Sequence, residues 1–232
     1  YEIKDEPWKL GEDVQEQLGV TKHVPNIPGH FFGQGQPKIA GAFHGYVPNF
    51  DVENIKNFKK AFVENEKVLI TEKIHGTCCI ISCFTPEAVE RFGFNVENLY
   101  KGRVVVGTKN LTKRGIVFNP NDLSSIYARI PTEMGILDKV IDAHDFTQSA
   151  SSCFCLLGEI FGNKIQDLGY DTAPTFRGFD FWVSQVEAPS FFTKLSTNEL
   201  LSLSEHFDIP WVPLQYHGPY YPELLALNSG NS

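Results

Sequence analysis

The chain has 232 residues, of which 42% are hydrophobic and 13% aromatic, enough for one large domain or one domain with an appendage. A formal net charge of −8 excludes a uniformly basic nucleic-acid coat, although it leaves room for a local basic groove. No apolar run approaches the roughly 18 residues that indicate a membrane span. The chain begins at Tyr1, which predicts that it was cut from a longer polypeptide.

Residues 1–47 contain four prolines and a glycine cluster with little hydrophobic periodicity, which predicts a linker or extended arm. The remainder, residues 48–232, is expected to form the folded domain. Its first predicted element is a short helix at 51–62, for which Asp51 is the candidate N-cap.

The strongest strand signals flank a polar interruption. The apolar runs 68–71 and 78–82 predict buried strands, but Lys73 and its polar neighbours lie between them. A buried ammonium is costly unless it is paired or loses its proton, and a neutral lysine is a nucleophile. Gly76 would let a phosphate or a backbone approach closely. The run predicts a lysine that attacks an electrophile; the alternative is an ordinary strand end with an exposed lysine.

Five cysteines lie in apolar runs and lack the paired spacing of a zinc site. Their odd number and apolar surroundings predict reduced thiols in the core of an intracellular protein. They are Cys78, Cys79, Cys83, Cys153 and Cys155.

The remaining elements follow from hydrophobic periodicity. Strands are predicted at 103–108, 154–161 and 175–183, and helices at 131–146, 195–207 and 219–227. Residues 85–92 are expected to form a short helix or an irregular insertion. The strand at 103–108 leads into a basic loop, 109–115. Charged residues interrupt or end these runs at Lys73, Lys109, Glu159 and Asp180. Because a soluble core excludes unpaired charge, these four are expected to converge on one cleft.

Four motifs in this order resemble those of the covalent nucleotidyltransferases, and within them the ATP-dependent RNA ligases. They are Glu-Lys-Ile-His-Gly-Thr at 72–77, Gly-Thr-Lys-Asn at 107–110, Leu-Leu-Gly-Glu-Ile-Phe-Gly at 156–162 and Phe-Arg-Gly-Phe-Asp-Phe at 176–181. The likeness spans residues 18–183 and is strongest to the Deinococcus-type and the phage and kinetoplastid nick-sealing RNA ligases. It implies an α+β nucleotidyltransferase domain of antiparallel β-sheets flanked by helices, with the nucleotide cleft between sheets. Residues 1–47 would then follow a missing N-terminal OB domain.

The resemblance also implies a mechanism. Lys73 would attack the α-phosphorus of ATP to give lysyl-AMP, AMP would pass to an RNA 5′-phosphate, and a 3′-hydroxyl would seal the nick. The implied catalytic residues are Lys73, His75, which orients phosphate or RNA, Lys109, which contacts phosphate with Lys113 or Arg114 as alternates, and Glu159, which binds a ribose hydroxyl or a metal-bound water. The implied nucleotide-binding residues are Glu72, Ile74, Gly76, Thr77, Arg114 and Phe176, with Phe176, or else Phe179, stacked on adenine. Glu159 and Asp180 would serve the metal, and Asp180 could instead hold a neighbouring cation.

The implied ligands are ATP, Mg²⁺ or Mn²⁺, and nicked duplex RNA or an RNA–DNA hybrid, bound by a monomer without a membrane. Two departures stand out: Cys78 replaces an asparagine of the phage relatives, and the later Glu-Gly and Lys-x-Lys motifs are not found after Val183. A DNA ligase or a capping guanylyltransferase shares the lysine chemistry, and a non-catalytic nucleotide- or RNA-binding fragment is the other alternative. His75, where many relatives carry aspartate, favours the RNA ligases.

Overall fold

The computed structural model describes residues 38–52, 57–58, 61–147, 151–165, 169–185 and 191–224, all within the unit Phe32–Ser232. These residues form two antiparallel sheets with helices packed on the larger one. The elements in chain order are β1 (Ile39–Ala42), β2 (Lys67–Thr71), β3 (Thr77–Phe84), α1 (Pro86–Arg91), β4 (Val104–Gly107), α2 (Lys109–Thr112), β5 (Ile116–Phe118), α3 (Ile126–Glu133), α4 (Ile136–Thr147), β6 (Ser151–Phe161), β7 (Thr175–Gln185), β8 (Phe192–Lys194), α5 (Thr197–His206) and β9 (Leu214–Pro219).

The larger sheet has seven strands in the order β1-β5-β4-β3-β6-β7-β8, and every neighbouring pair is antiparallel. The smaller sheet is the antiparallel pair β2 and β9. Long apolar runs become the central strands β3 and β6 because both of their faces are covered. This α+β architecture of antiparallel sheets and flanking helices confirms the fold class that the sequence predicts.

Each face of the larger sheet buries its own core. Cross-strand partners share a face, so Cys78, Glu159 and Arg177 form one row across β3, β6 and β7. That face, here called the site face, is covered over most of its area by Phe43, Tyr46 and Phe94 and their neighbours. The opposite face, here called the helical face, packs against α3 and α4.

The arm predicted at 1–47 contributes to the sheet. β1 pairs with β5, with Ile39 opposite Phe118, so the folded domain begins before residue 48. Residues 1–37 lie outside the described part of the chain. Half of the helix predicted at 51–62 also lies outside it, as does the last third of the helix predicted at 219–227. The first residue of the latter belongs to β9.

The sequence predicts that Pro131 opens a helix, but in the structure it lies inside α3. The helix begins earlier because the hydroxyl of Ser125 accepts the backbone N–H of Tyr127. Pro131 has no N–H to donate to the carbonyl of Tyr127 four residues earlier. The thiol of Cys79 lies 4.0 Å from that free carbonyl oxygen, and this contact compensates for the missing helix bond.

The predicted helix at 195–207 and the predicted reduced cysteines agree with the structure. α5 begins with a capping box in which Ser196 and Glu199 satisfy each other's backbone N–H groups. All five cysteines are free thiols, four of them buried and Cys78 half-buried. Among helices in the described ranges, none combines the length and the apolar character needed to cross a bilayer.

Candidate active site

The polar interruption of the sequence is the crossover between the two sheets. The chain leaves β2 at Thr71 and enters β3 at Thr77, so residues 72–76, here called the crossover, belong to neither sheet. The backbone N–H of Glu72 donates to the carbonyl of Pro213 at 2.9 Å. The backbone N–H of His75 donates to the hydroxyl of Tyr170 at 3.2 Å. These bonds fix both ends of the segment that carries Lys73.

The side chains of the crossover divide between core and solvent. Ile74 is buried against Phe161 and Val212, with Phe179 and Tyr170 at the edge of the same cluster. Lys73 and His75 are exposed, and the amine of Lys73 lies 3.5 Å from Nδ1 of His75. The prediction that the lysine is buried within a strand is therefore wrong. The buried Ile74 between them anchors the segment while leaving both polar side chains accessible.

Gly76 is required by a close backbone approach. A Cβ at this position would lie 2.2 Å from the carbonyl oxygen of Ile160, so no larger residue fits without a backbone shift. The close approach brings the Gly76 N–H to the carboxylate of Glu159, to which it donates a hydrogen bond. Glycine at this point thus couples the crossover to β6.

Glu159 is the half-buried carboxylate at the open end of the site face. Burial raises its pKa to about 7, and only the positive charge of Lys73 and the Gly76 N–H act in the opposite direction. A carboxyl group that holds its proton this tightly titrates near neutrality. Lys73 therefore lies close enough to Glu159 for the two charges to interact.

Lys109 reaches the same place through Cys78. Cys78 lies opposite Glu159 in the β3–β6 register, and burial followed by the Glu159 charge raises the pKa of its thiol to about 12. The backbone N–H and the positive charge of Lys109 act in the opposite direction on the same thiol. The predicted basic loop is in part the short helix α2, which Thr108 caps and Lys109 begins. Lys109 thus lies on the site face beside Cys78.

Phe176 cannot serve as the adenine platform that the sequence predicts. Its side chain is fully buried, it pairs with Ile160 on the helical face, and its backbone N–H lies 3.3 Å from the sulfur of Met134. The ring covers Gly158, where an added Cβ would meet it at 2.2 Å. Phe179, the predicted alternative, is half-buried on the site face. Of the two predicted phenylalanines, only Phe179 is therefore partly exposed and on the site face.

Asp180 is held by neighbours rather than presented to the cleft. One carboxylate oxygen accepts the indole N–H of Trp182 at 2.9 Å and lies 2.9 Å from the amine of Lys194. The other oxygen accepts the backbone N–H of Phe181 at 3.0 Å. Of the two predicted roles, the structure supports the contact with a neighbouring cation.

Two further predicted nucleotide ligands lie apart from the cluster. The hydroxyl of Thr77 contacts the hydroxyl of Tyr127 at 2.6 Å, on the helical face. Arg114 is exposed beyond the end of α2, and no contact connects it to Glu159 or Lys73. The residues that the structure brings together are Lys73, His75, Gly76, Glu159 and Lys109.

This donor set fits a divalent cation through Glu159 together with the phosphates of a substrate. Mg²⁺ is commonly held by one or two carboxylates together with substrate phosphates rather than by a cage of side chains. The half-buried Glu159 suits that arrangement, whereas both oxygens of Asp180 are already engaged. Within the described ranges no group of three or more His, Cys, Asp or Glu side chains could hold a metal by itself.

Sequence reasoning missed two residues that position the site. Tyr170 fixes the crossover, and its ring packs against Phe161 with centroids 5.3 Å apart. Asp51 lies beside Lys109, at 3.2 Å from its amine. Neither residue belongs to a motif, and their separations from the residues that they contact are 95 and 58 positions, so no local signal marks them.

Glu159→Gln should change how stability depends on pH. Because the folded-state pKa of Glu159 is raised from 4.5 to about 7, the wild type loses stability as the pH rises through this interval, and the neutral amide does not. One pKa unit corresponds to about 1.4 kcal/mol. Since solvent reaches part of the carboxylate, we expect the variant to gain about 1–2 kcal/mol over the wild type above pH 7.

Chemical denaturation of both proteins between pH 4 and 8 measures this difference. Asp145→Asn is the matched control of opposite sign, because the hydrogen bond from Arg103 holds the pKa of Asp145 below its ordinary value. Its stability relative to the wild type should fall as the pH rises. A pH-independent difference for Glu159→Gln would contradict the placement of this carboxylate.

Solved structures with the same fold include several of an RNA ligase from Naegleria gruberi. A variant of that ligase with ATP and Mn aligns with a TM-score of 0.56 at 18% identity, covering 94% of this chain and 56% of the ligase chain. A variant with AMP and Mn gives 0.57 at 19% identity, with coverages of 96% and 58%. An apo variant gives 0.58 at 20% identity, with the same coverages. The chain thus spans a little over half the length of these ligases.

These similarities define the fold as that of the nucleotidyltransferase domain of RNA ligases. The family model for RNA ligases matches residues 66–230, which is most of the chain and includes Lys73, Lys109 and Glu159. The chain belongs to the RNA ligase family. No curated protein matches it significantly.

Proposed function

We propose that this protein is an ATP-dependent RNA ligase that seals 3′-hydroxyl/5′-phosphate nicks through a lysyl-AMP intermediate. The proposal is supported most by the placement of Lys73, whose charge acts on Glu159, and of Lys109, which lies beside Cys78, the strand partner of Glu159. The likeness of the four motifs to those of the Deinococcus-type and the phage and kinetoplastid nick-sealing enzymes supports it. Its substrates would be ATP and nicked duplex RNA or an RNA–DNA hybrid, and residues 38–224 would belong to its adenylyltransferase domain.

The proposed chemistry begins with the crossover amine. Lys73 attacks the α-phosphorus of ATP, a nitrogen–phosphorus bond forms, and pyrophosphate leaves. The RNA 5′-phosphate then takes AMP from the lysine, and the 3′-hydroxyl displaces AMP as the phosphodiester forms. Each step is an in-line displacement, so the protein contributes mainly position and charge. The exposed position of Lys73 suits an amine that must meet two successive partners.

The other residues would hold the phosphates and the nucleoside. Lys109 supplies positive charge to phosphate, and His75, within 3.5 Å of the Lys73 amine, orients the nucleophile or the RNA. Glu159 would hold Mg²⁺ or Mn²⁺ through a water or accept a ribose hydroxyl. A divalent cation there would neutralise charge on the transferred phosphate.

Phe179 should supply the adenine platform. Phe179→Leu keeps apolar volume but removes the aromatic face, and stacking on a base contributes about 1–3 kcal/mol, so we expect ATP affinity to fall roughly five- to hundredfold. Phe176→Leu is the matched control: it should lower the melting temperature without changing ATP affinity. Calorimetric titration of ATP in a Lys73→Ala background measures both affinities. Equal ATP affinity in Phe179→Leu and the parent protein would contradict this role.

Nucleotide and duplex preference distinguishes the proposed RNA ligase from a DNA ligase, a capping enzyme and a non-catalytic binding module. The purified protein is incubated with ATP or GTP and then with nicked duplexes of RNA, DNA or mixed strands. A ligase of the proposed kind consumes ATP, not GTP, and joins the duplex with RNA at the nick. Consumption of GTP would indicate capping chemistry, preferential joining of DNA would indicate a DNA ligase, and binding without any joining would indicate a non-catalytic module.

A further inference from the structure

One carboxylate bridges two lysines beside the candidate site. The two oxygens of Asp51 lie 2.7 and 2.8 Å from the amine of Lys113, and one of them lies 3.2 Å from the amine of Lys109. Lys109 and Lys113 are four residues apart, so a helical turn places their side chains next to each other. Two ammonium groups thus converge on one oxyanion that comes from a distant part of the chain.

Aromatic packing holds this ion-pair cluster of Asp51, Lys109 and Lys113 in place. The amine of Lys109 lies 5.3 Å from the centre of the Phe50 ring, and Phe50 packs on Trp182 with centroids 5.4 Å apart. A cation over an aromatic face is held electrostatically. Phe50 directly precedes Asp51, so the same short segment presents both the ring and the carboxylate to α2.

The ion-pair cluster lies beside Cys78 and Glu159, near which the transferred phosphate would bind. The backbone N–H of Lys109 acts on the thiol of Cys78, and Cys78 lies opposite Glu159. Lys113 and then Lys109 hold the pKa of Asp51 below its ordinary value, so the carboxylate is ionised throughout the neutral range. Two positive charges and one negative charge leave this position net positive.

The ion pairs are exposed enough to exchange. The side chains of Lys109 and Lys113 are 31% and 32% exposed, and that of Asp51 is 67% exposed. Exposed pairs contribute little and weaken in salt. A phosphate group carries more charge and more acceptor oxygens than a carboxylate, and therefore competes well for two adjacent ammonium groups.

We propose that Lys109 and Lys113 together form a phosphate-binding site and that Asp51 is a tethered competitor, which the phosphate displaces on binding. The proposal deepens the function proposed above, since the phosphate is either the polyphosphate of ATP or the 5′-phosphate of RNA. Asp51 thereby weakens phosphate binding and keeps the two lysines from retaining other anions.

The test is binding without reaction. In a Lys73→Ala background, Asp51→Asn should bind the relevant phosphate ligand roughly three- to tenfold more tightly at low ionic strength, and the gain should shrink in 0.5 M salt. If the ligand is the tail of ATP, affinity rises for ATP and pyrophosphate but not for AMP. If it is the RNA phosphate, affinity rises for a 5′-phosphorylated nicked duplex but not for its 5′-hydroxyl counterpart.

Two further variants test whether the effect is specific to the contact of Asp51 with the two lysines. Asp208→Asn removes the same charge from the remote ion pair with Lys139 and should leave every affinity unchanged. Lys113→Gln should weaken phosphate binding, and Asp51→Asn should give a smaller gain in that background.

Equal or weaker binding of every phosphate ligand by Asp51→Asn, or no binding of any of them, would overturn the proposal. Because these affinities are read without AMP transfer, they are independent of whether the wild type forms lysyl-AMP. Failure of the competitor role and failure of the ligase function are therefore distinguishable.

Discussion

Lys73→Ala is expected to abolish the transfer of AMP from α-labelled ATP to the protein. Removal of a covalent nucleophile lowers the rate of its step by about a thousandfold or more. Lys73 is the lysine of the crossover, and its charge acts on Glu159 while its amine lies 3.5 Å from His75. The assay is gel detection of label on the protein after incubation with ATP and Mg²⁺.

Lys73→Arg is the matched control. A guanidinium keeps the positive charge beside Glu159 but does not lose its proton in a protein, so it cannot attack phosphorus. Both variants should therefore fail to take up label, while Lys73→Arg retains more of the wild-type ATP affinity than Lys73→Ala. Covalent AMP retained in either variant would remove Lys73 as the nucleophile.

Gly76→Ala is expected to damage both stability and activity. The added Cβ would lie 2.2 Å from the carbonyl oxygen of Ile160 and 3.0 Å from the Cβ of Phe161. Backbone cannot yield as a flexible side chain does, so the crossover must move away from β6 and its bond to Glu159 must lengthen. We expect a loss of about 1–3 kcal/mol in unfolding free energy and at least about a hundredfold loss in AMP transfer, since small displacements of reacting groups are costly.

Gly93→Ala separates this steric effect from the general cost of replacing glycine. Gly93 has a φ of +67° but open space around its Cβ position, so its replacement should cost stability without lowering the rate of AMP transfer. Denaturant midpoints and label transfer measured on both variants give the comparison. Wild-type transfer by Gly76→Ala would show that contact between the crossover and β6 does not position the lysine.

The sequence pattern located the crossover because its signal is local. Two apolar strands with Lys73 and Gly76 between them can be recognised without knowing what packs around them. The exposure of Lys73 could not be predicted in the same way. Lys73 is exposed because the chain passes from one sheet to another at this point. The strand that pairs with β2 is β9, which begins 143 residues after Thr71. Only the three-dimensional pairing shows that the segment leaves one sheet and enters another.

The register of β7 against β6 decides on which face of the larger sheet Phe176 and Asp180 lie. Opposite β6, β7 carries one extra residue, because Gly158 pairs with Gly178 while Leu157 pairs with Asp180. This bulge places Asp180 on the site face, where regular alternation would put it with Phe176 on the helical face. The motif carries a phenylalanine at both 176 and 179, and the resemblance favoured Phe176. Only the register of β7 against β6, in which Phe176 pairs with Ile160, shows that Phe176 lies on the helical face.

Whether Lys73 carries AMP is tested by the mass of the intact protein after incubation with ATP and Mg²⁺ or Mn²⁺, followed by a peptide map. We expect the addition of a single AMP group, carried on the peptide that contains Lys73 and released by pyrophosphate. An unchanged mass under conditions in which ATP binds, or an adduct on any other lysine, would contradict it.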